Sequence, residues 1–248
     1  MYKKWQICQT DREKVEQIKS NYQINELLAT ILVNRNIVQK EDIRLFLNPT
    51  RQDFYDPFLI TDMEIAIQRI IKAINNKQKV TIYGDYDVDG ITSITVLKSF
   101  LKDLGLETSI YIPNRLEEGY GLNKKAIDKI AQDGCDLMIT VDCGISAIEE
   151  IEYANFLGIE TIVTDHHEPT NELPNAIAVI DNKRKDSKYP FRELAGVGVV
   201  FKVIQALGIK LGLEEETYLK YLDIVCIGTI SDIVPLVDEN RVIAKLGL

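Results

Sequence analysis

Three aspartates stand at alternate positions in GDYDVDGITS, residues 84–93: Asp85, Asp87 and Asp89. Oxygen donors crowded this closely are the ligands that hard divalent cations take. A histidine doublet, His166 and His167, follows Asp165 in TDHHEP (164–169), and these are the only two histidines in the chain. One imidazole of such a pair can ligate a metal while the other meets a phosphate oxygen. Asp165 stands where it can fix an imidazole tautomer from behind. In VDCGIS (141–146), Asp142 is followed by Gly144, which lets the backbone turn without a Cβ penalty. In IGTISDIVPL (227–236), Asp232 lies in an apolar stretch, where a carboxylate is costly unless paired or coordinated.

The elements that must position these residues read as follows. Short apolar runs alternate with helical stretches: VTIYG (80–84), a helix over about 90–104, TSIYI (108–112), a helix near 123–133, LMITV (137–141), a helix over 145–157, ETIVT (160–164) and AIAVI (176–180). Strands alternating with helices imply βαβ units and a parallel sheet, with right-handed crossovers. Two more helices are expected over about 197–210 and 214–229, with no internal repeat. Before residue 77 the periodicity is helical: Ile24, Leu27, Leu28, Ile31 and Leu32 share a face, Lys40–Leu47 forms a second helix ahead of Pro49, and a third runs over roughly 62–75. The expected fold class is α/β: a parallel-sheet βαβ domain over 77–248 with helices on both faces, preceded by a helical segment over 1–76. Four of the five apolar runs are followed by an aspartate: Asp85, Asp142, Asp165 and Asp181. The C-terminal strand ends of a parallel sheet gather along one edge, where ligands bind. Aspartate is also a common helix N-cap. Capping accounts for any one of these positions but poorly for the set, because Asp87, Asp89 and the histidines add to the same edge.

Two other readings of the first cluster are weaker. D-x-D-x-D-G resembles the start of an EF-hand loop, but its twelfth position is Val96, where a bidentate Glu is required, and a strand precedes it. DYDV after an apolar strand also resembles the haloacid-dehalogenase phosphotransferases, with Asp85 as nucleophile and Asp87 as acid. That leaves Asp89 and the histidine pair unexplained.

In this order, GDYDVDG, VDCG, DHH and SD resemble the four motifs of the DHH phosphoesterase superfamily. YGDYDVDGITS, EEGYGLN (117–123), LAGVGVVFK (194–202) and the lead-in with FLNP and DPF resemble in particular the RecJ family of single-strand-specific 5′→3′ DNA exonucleases. The resemblance covers nearly the whole chain. It implies a two-metal site, Mn2+ or Mg2+, with Asp89, Asp142, His166 and Asp232 on one ion and Asp87 and Asp142 on the other. Asp142 would bridge and Asp85 would stand nearby as a ligand or outer acceptor. Many DHH relatives carry a histidine where this chain has Tyr83, which removes one ligand from the first site.

Crowded carboxylates raise one another's pKa, and bound dications remove that penalty. Two ions about 3.5–4 Å apart can activate water and stabilise both oxygens of an in-line displacement. His167 would contact a nonbridging phosphate oxygen. The helix start at Gly90–Ser93 would add donors, so Ser93 is expected to bind substrate. Arg115 could clamp a phosphate bidentately. The run NKRKDSKYPFR (182–192) could track a DNA backbone or be a solvated loop.

Composition bounds these expectations. With 248 residues, 46% hydrophobic and 27% charged, the chain is neither disordered nor collagen-like. A net charge of −9 argues against a general nucleic-acid coat protein, since nonspecific affinity comes from Lys and Arg on phosphates. Residues 1–14 hold no signal-peptide core, no stretch approaches the roughly 20 apolar residues of a membrane span, and the four cysteines form no C-x-x-C pair. A reduced cytoplasmic protein is expected. Expected partners are single-stranded DNA, with a single-strand-binding protein or helicase as further candidates, and no membrane. The second catalytic-side domain and the OB-fold that the resemblance implies are absent from this sequence, so metal binding is expected with weak processive activity. Alternatives are a phosphoesterase for short oligonucleotides or cyclic dinucleotides, and a non-catalytic DHH scaffold or replication partner.

Overall fold

The computed structural model describes residue 7, residues 9–114, residue 119 and residues 121–248. They form two compact units divided between Thr50 and Arg51. In the first unit, α1 (Arg12–Tyr22), α2 (Glu26–Asn34) and α3 (Lys40–Leu47) bury Val15, Ile18, Ala29, Leu32 and Ile43 together. Asp11 and Asn25 start the first two helices by accepting the amides of Lys14 and Leu28.

The second unit runs α4 (Met63–Asn75), β1 (Val80–Gly84), α5 (Val88–Asp103), β2 (Thr108–Tyr111), α6 (Lys124–Gln132), β3 (Leu137–Val141), α7 (Ile148–Phe156), β4 (Glu160–Thr164) and β5 (Ala178–Ile180). It continues with α8 (Gly196–Lys210), α9 (Glu216–Leu219), α10 (Leu222–Ser231) and α11 (Asp238–Gly247). The boundary expected after residue 76 falls instead after Thr50. The physical reason is α4, which buries Met63, Ala66, Ile67 and Ile70 in the main core of the second unit.

All five strands pair in parallel, in the order β2-β1-β3-β4-β5. Strand side chains alternate between faces, and both faces are covered. Ile82, Ile139, Ile162 and Ile180 join α4, α5, α8 and α10 in one core. Tyr83, Met138, Val163 and Val179 join α6 and α7 in the other. The expected α/β fold with helices on both faces is the one observed.

Register decides where the chemistry gathers. Gly84 pairs with Val141, Val141 with Thr164, and Thr164 with Ile180. The next residue on each strand is an aspartate, so Asp85, Asp142, Asp165 and Asp181 occupy one rank along the C-terminal edge. The chain also reverses direction across the sheet there: β1 has β2 on one side and β3 on the other. Such a switch point opens a crevice at the strand ends, and Asp85 and Asp142 flank it. Among the described residues, no helix is long and apolar enough to cross a membrane.

Candidate metal centre

The aspartate rank is unusual in being buried. Asp85, Asp142, Asp165 and Asp181 are each 3% exposed or less, and Asp89 on the first turn of α5 is 2% exposed. Asp142 turns out of β3 at φ +58°, a left-handed conformation that aspartate tolerates better than most residues, and its N–H donates to Thr164 O at 3.0 Å. Gly144 follows at φ +112°, and a side chain there would strike Thr140 Oγ1. The carboxylate is thereby aimed back across the strand ends.

His166 is the hub. Its Nε2 lies 3.2 Å from Asp142 Oδ1 and 3.7 Å from Asp89 Oδ2, and its Nδ1 lies 3.8 Å from Asp232 Oδ2. Asp232 arrives from the C-terminal end of α10. Three triads offer ligand atoms within 4.8 Å of one another: Asp89–His166–Asp232, Asp85–Asp87–Asp142 and Asp142–His166–His167. Asp87 also caps α5, accepting the Gly90 amide at 2.9 Å. Capping and membership of the cluster therefore coexist in one residue.

Behind the cluster, Asp165 accepts the amides of Ile145 at 2.9 Å, His166 at 2.7 Å and His167 at 3.2 Å, and binds His167 Nδ1 at 2.7 Å. Burial opposes the Asp165 anion, but His167 and the amides outweigh it and hold its carboxyl below the ordinary range. The same hydrogen bond raises His167 to about 9. The other carboxylates move the opposite way. Burial first, then the charge of Asp87 and Asp165, pushes Asp142 up to about 9. Burial and Asp142 push Asp89 to about 7, and burial raises Asp232 as well.

Three observations fit this set to a divalent cation. His166 Nδ1 is buried with no hydrogen-bond partner among the described residues. Asp89 and Asp142 pair with no Lys or Arg there, only with His166. The donors are carboxylate oxygens plus imidazole, which suits Mn2+ or Mg2+ rather than a thiolate-seeking metal.

Other expected residues fare differently. Arg115 lies outside the described residues, as do Glu117, Glu118 and Tyr120 of the EEGYGLN stretch. Ser93, expected to bind substrate, is instead fully buried in α5, and its hydroxyl has no hydrogen-bond partner among the described residues. Tyr83 adds no ligand: its ring stacks on Tyr111 and its hydroxyl donates to Gly121 O at 3.0 Å. In the basic run, Arg184 is consumed structurally by Asp62 at 2.6 Å and Asp186 at 2.7 Å, and Tyr189 and Phe191 join the core. A cavity of about 270 Å3 opens beside His167, lined by Gly121, Gly144, Ile145, Ser146, Glu150 and His167.

Two contributors receive no ligand or binding role from the sequence, although Asp181 counts among its strand-end aspartates. The first turn of α8 grips Asp89, with Gly196 N–H on Oδ2 at 2.6 Å and Val197 N–H on Oδ1 at 2.8 Å. The signal was there: the N-cap position of this helix is Ala195, which carries no capping side chain, so its amides needed a distant acceptor. Asp181 is the second. Its Oδ1 accepts the Lys183 amide at 2.6 Å, its Oδ2 is buried with no hydrogen-bond partner among the described residues, and burial raises it to about 7.

The sequence profile of the DHH family, N-terminal domain, matches residues 79–229. The chain belongs to the DHH family. It is 47% identical over 246 residues to the single-stranded-DNA-specific exonuclease RecJ of Bacillus subtilis (strain 168), covering 99% of this chain and 30% of that protein. Its fold matches the crystal structure of RecJ from Thermus thermophilus in complex with Mn2+, with a TM-score of 0.77 and 28% identity, covering 96% of this chain and 33% of that one. A crystal structure of exonuclease RecJ bound to manganese matches with a TM-score of 0.70 and 34% identity, covering 76% of this chain and 47% of that one. The chain spans about a third of the length of the curated relatives it matches. The residues that give the DHH family its name are Asp165, His166 and His167 here: the two histidines belong to the cluster and Asp165 stands behind them.

Proposed function

We propose that this chain is a metal-dependent phosphodiesterase of RecJ type, hydrolysing single-stranded DNA from the 5′ end to 5′-mononucleotides with Mn2+ or Mg2+. Asp89, Asp142, His166 and Asp232 would hold one ion, and Asp85, Asp87 and Asp142 the other, with Asp142 shared. The observation that carries the reading is the burial of Asp89 and Asp142 against His166 with no Lys or Arg paired to them among the described residues. Bound dications would supply Lewis-acid activation of water and charge neutralisation at the phosphodiester.

The chain's own residues do the rest. Asp165 holds a proton on His167 Nδ1, so the imidazole is cationic near neutral pH and can donate to a nonbridging phosphate oxygen. The three amides on Asp165 fix the orientation of that imidazole. The left-handed turn at Asp142 keeps its carboxylate between the two groups of ligands. The likeness to RecJ exonucleases supports the choice of single-stranded DNA.

The test is digestion of long single strands labelled at the 5′ or the 3′ end, with MnCl2, by the wild-type chain and Asp142→Ala. The expected result is early release of the 5′ label as mononucleotide and none from the variant. Turnover that survives the substitution, or release of the 3′ label first, contradicts the proposal. Cleavage confined to dinucleotides would favour a short-substrate phosphoesterase instead.

A further inference from the structure

We propose that Gly196 is a positioning residue of the metal centre: its amide fixes Asp89, and its missing side chain makes room for Asp142. The inference rests on the metal-centre reading above and deepens it. α8 begins at Gly196 without a capping side chain, and first-turn amides must find acceptors. The acceptor is Asp89, far away in sequence. Both of its oxygens are engaged, by Gly196 N–H at 2.6 Å and Val197 N–H at 2.8 Å, which fixes the plane of the carboxylate. The same carboxylate lies 3.7 Å from His166 Nε2.

The other side of Gly196 faces Asp142. A Cβ at position 196 would stand 2.5 Å from Asp142 Oδ1 and 2.8 Å from its Cβ and Cγ, closer than real Cβ atoms approach anything. Asp142 has little freedom to yield. Its backbone is set at φ +58°, its N–H is bound to Thr164 O, and its Oδ1 is 3.2 Å from His166 Nε2. Gly196 itself is not in the left-handed region, so glycine is required here for space rather than for conformation. One residue thus sets two carboxylates that both approach His166 Nε2. Gly198 lies on the same helix but faces elsewhere: a Cβ there meets only the side chain of Leu194, at 3.3 Å. It supplies the control.

The experiment compares the wild-type chain, Gly196→Ala and Gly198→Ala by calorimetric titration with MnCl2, by the electron paramagnetic resonance signal of bound Mn2+, and by thermal unfolding in EDTA. Gly196→Ala should bind Mn2+ at least tenfold more weakly with an altered signal, while Gly198→Ala binds like the wild type. The two variants should share far-ultraviolet circular dichroism. A cycle in EDTA with Asp142→Gly, which suits the positive φ, covers the case in which Gly196→Ala does not fold. The double variant Gly196→Ala/Asp142→Gly should then unfold with the midpoint of Asp142→Gly alone. Wild-type affinity in Gly196→Ala, equal losses in both glycine variants, or a double variant no better than Gly196→Ala would each overturn the inference. A wild-type chain that takes up no Mn2+ would overturn the metal-centre reading itself, and this inference with it.

Discussion

The larger unit buries charge in two places and treats it in opposite ways. Around Lys202 and Glu239, both fully buried, the ammonium donates to Glu239 Oε1 and to Tyr55 O, each at 2.8 Å. Glu239 also accepts the Tyr55 amide at 3.0 Å and the Tyr189 hydroxyl. The rings of Phe54 and Tyr189 pack on the ammonium at 5.2 and 5.7 Å. Every charge in that hub is answered from within the chain. At the sheet edge, Asp89 and Asp142 are also buried, and among the described residues no Lys or Arg pairs with either: Asp89 meets His166 and two backbone amides, and Asp142 lies among His166, His167, Asp85 and Asp87. A buried ion pair that is complete serves structure. A buried acidic cluster left unneutralised marks a place where something outside the chain supplies the charge.

Breaking each region should therefore give opposite results. Glu239→Gln strands the Lys202 ammonium and should cost about 3–5 kcal/mol in urea unfolding, with Mn2+ affinity of the folded protein close to wild type. Asp142→Asn should do the reverse. Mn2+ affinity should fall by more than about 100-fold, beyond what residues behind the ligands usually cost, while stability in EDTA at pH 8 rises by on the order of 2 kcal/mol. The sign follows from the raised pKa of Asp142, about 9 in the fold. The folded state holds that proton more tightly than the unfolded chain, so ionisation destabilises it progressively from about pH 4 up to 9. The stabilising effect of Asn should vanish near pH 3, and a loss of stability at pH 8 would break the comparison.

Asp165→Asn tests the layer behind the ligands. It disturbs the hydrogen bond to His167 and the acceptance of three amides, and should weaken Mn2+ binding about 10–100-fold by titration calorimetry. The gentlest probe is pH itself. Asp89, at about 7, and Asp142, at about 9, must release protons to take a cation. Wild-type Mn2+ affinity should therefore rise by on the order of a thousandfold between pH 6 and pH 8, about tenfold from Asp89 and about a hundredfold from Asp142, with proton release seen in buffers of different ionisation enthalpy. A flat profile would mean these carboxylates take no part.

Much of this edge was legible in the chain. β1, β3 and β4 have the bounds their apolar runs predict, because fully buried parallel strands read as continuous hydrophobic segments. α3 likewise stops at Leu47 ahead of Pro49. Two helices escaped. α1 is mostly polar and buries only Val15 and Ile18, and α11 carries its core contacts on Val242, Ile243 and Ala244 within a charged sequence. The helix expected over 214–229 is interrupted at Lys220 and Tyr221, both of which bind Asp103. At the site, residue types announced the ligands because strand ends must gather. The uncapped start of α8 signalled that its amides need an acceptor, but that the acceptor is Asp89 could not be read, since it depends on how α8 docks beside α5. The burial of Ser93 and the pairing of Arg184 are likewise facts of packing.

The central claim is that these carboxylates and His166 form one divalent-cation centre. Equilibrium dialysis against Mn2+, counted by paramagnetic resonance, tests it most directly in the wild-type chain and in Asp142→Asn. The account predicts a pair of spin-coupled ions per wild-type chain and loss of that pair in the variant. An unaltered pair in Asp142→Asn, or no uptake by the wild type, would contradict it.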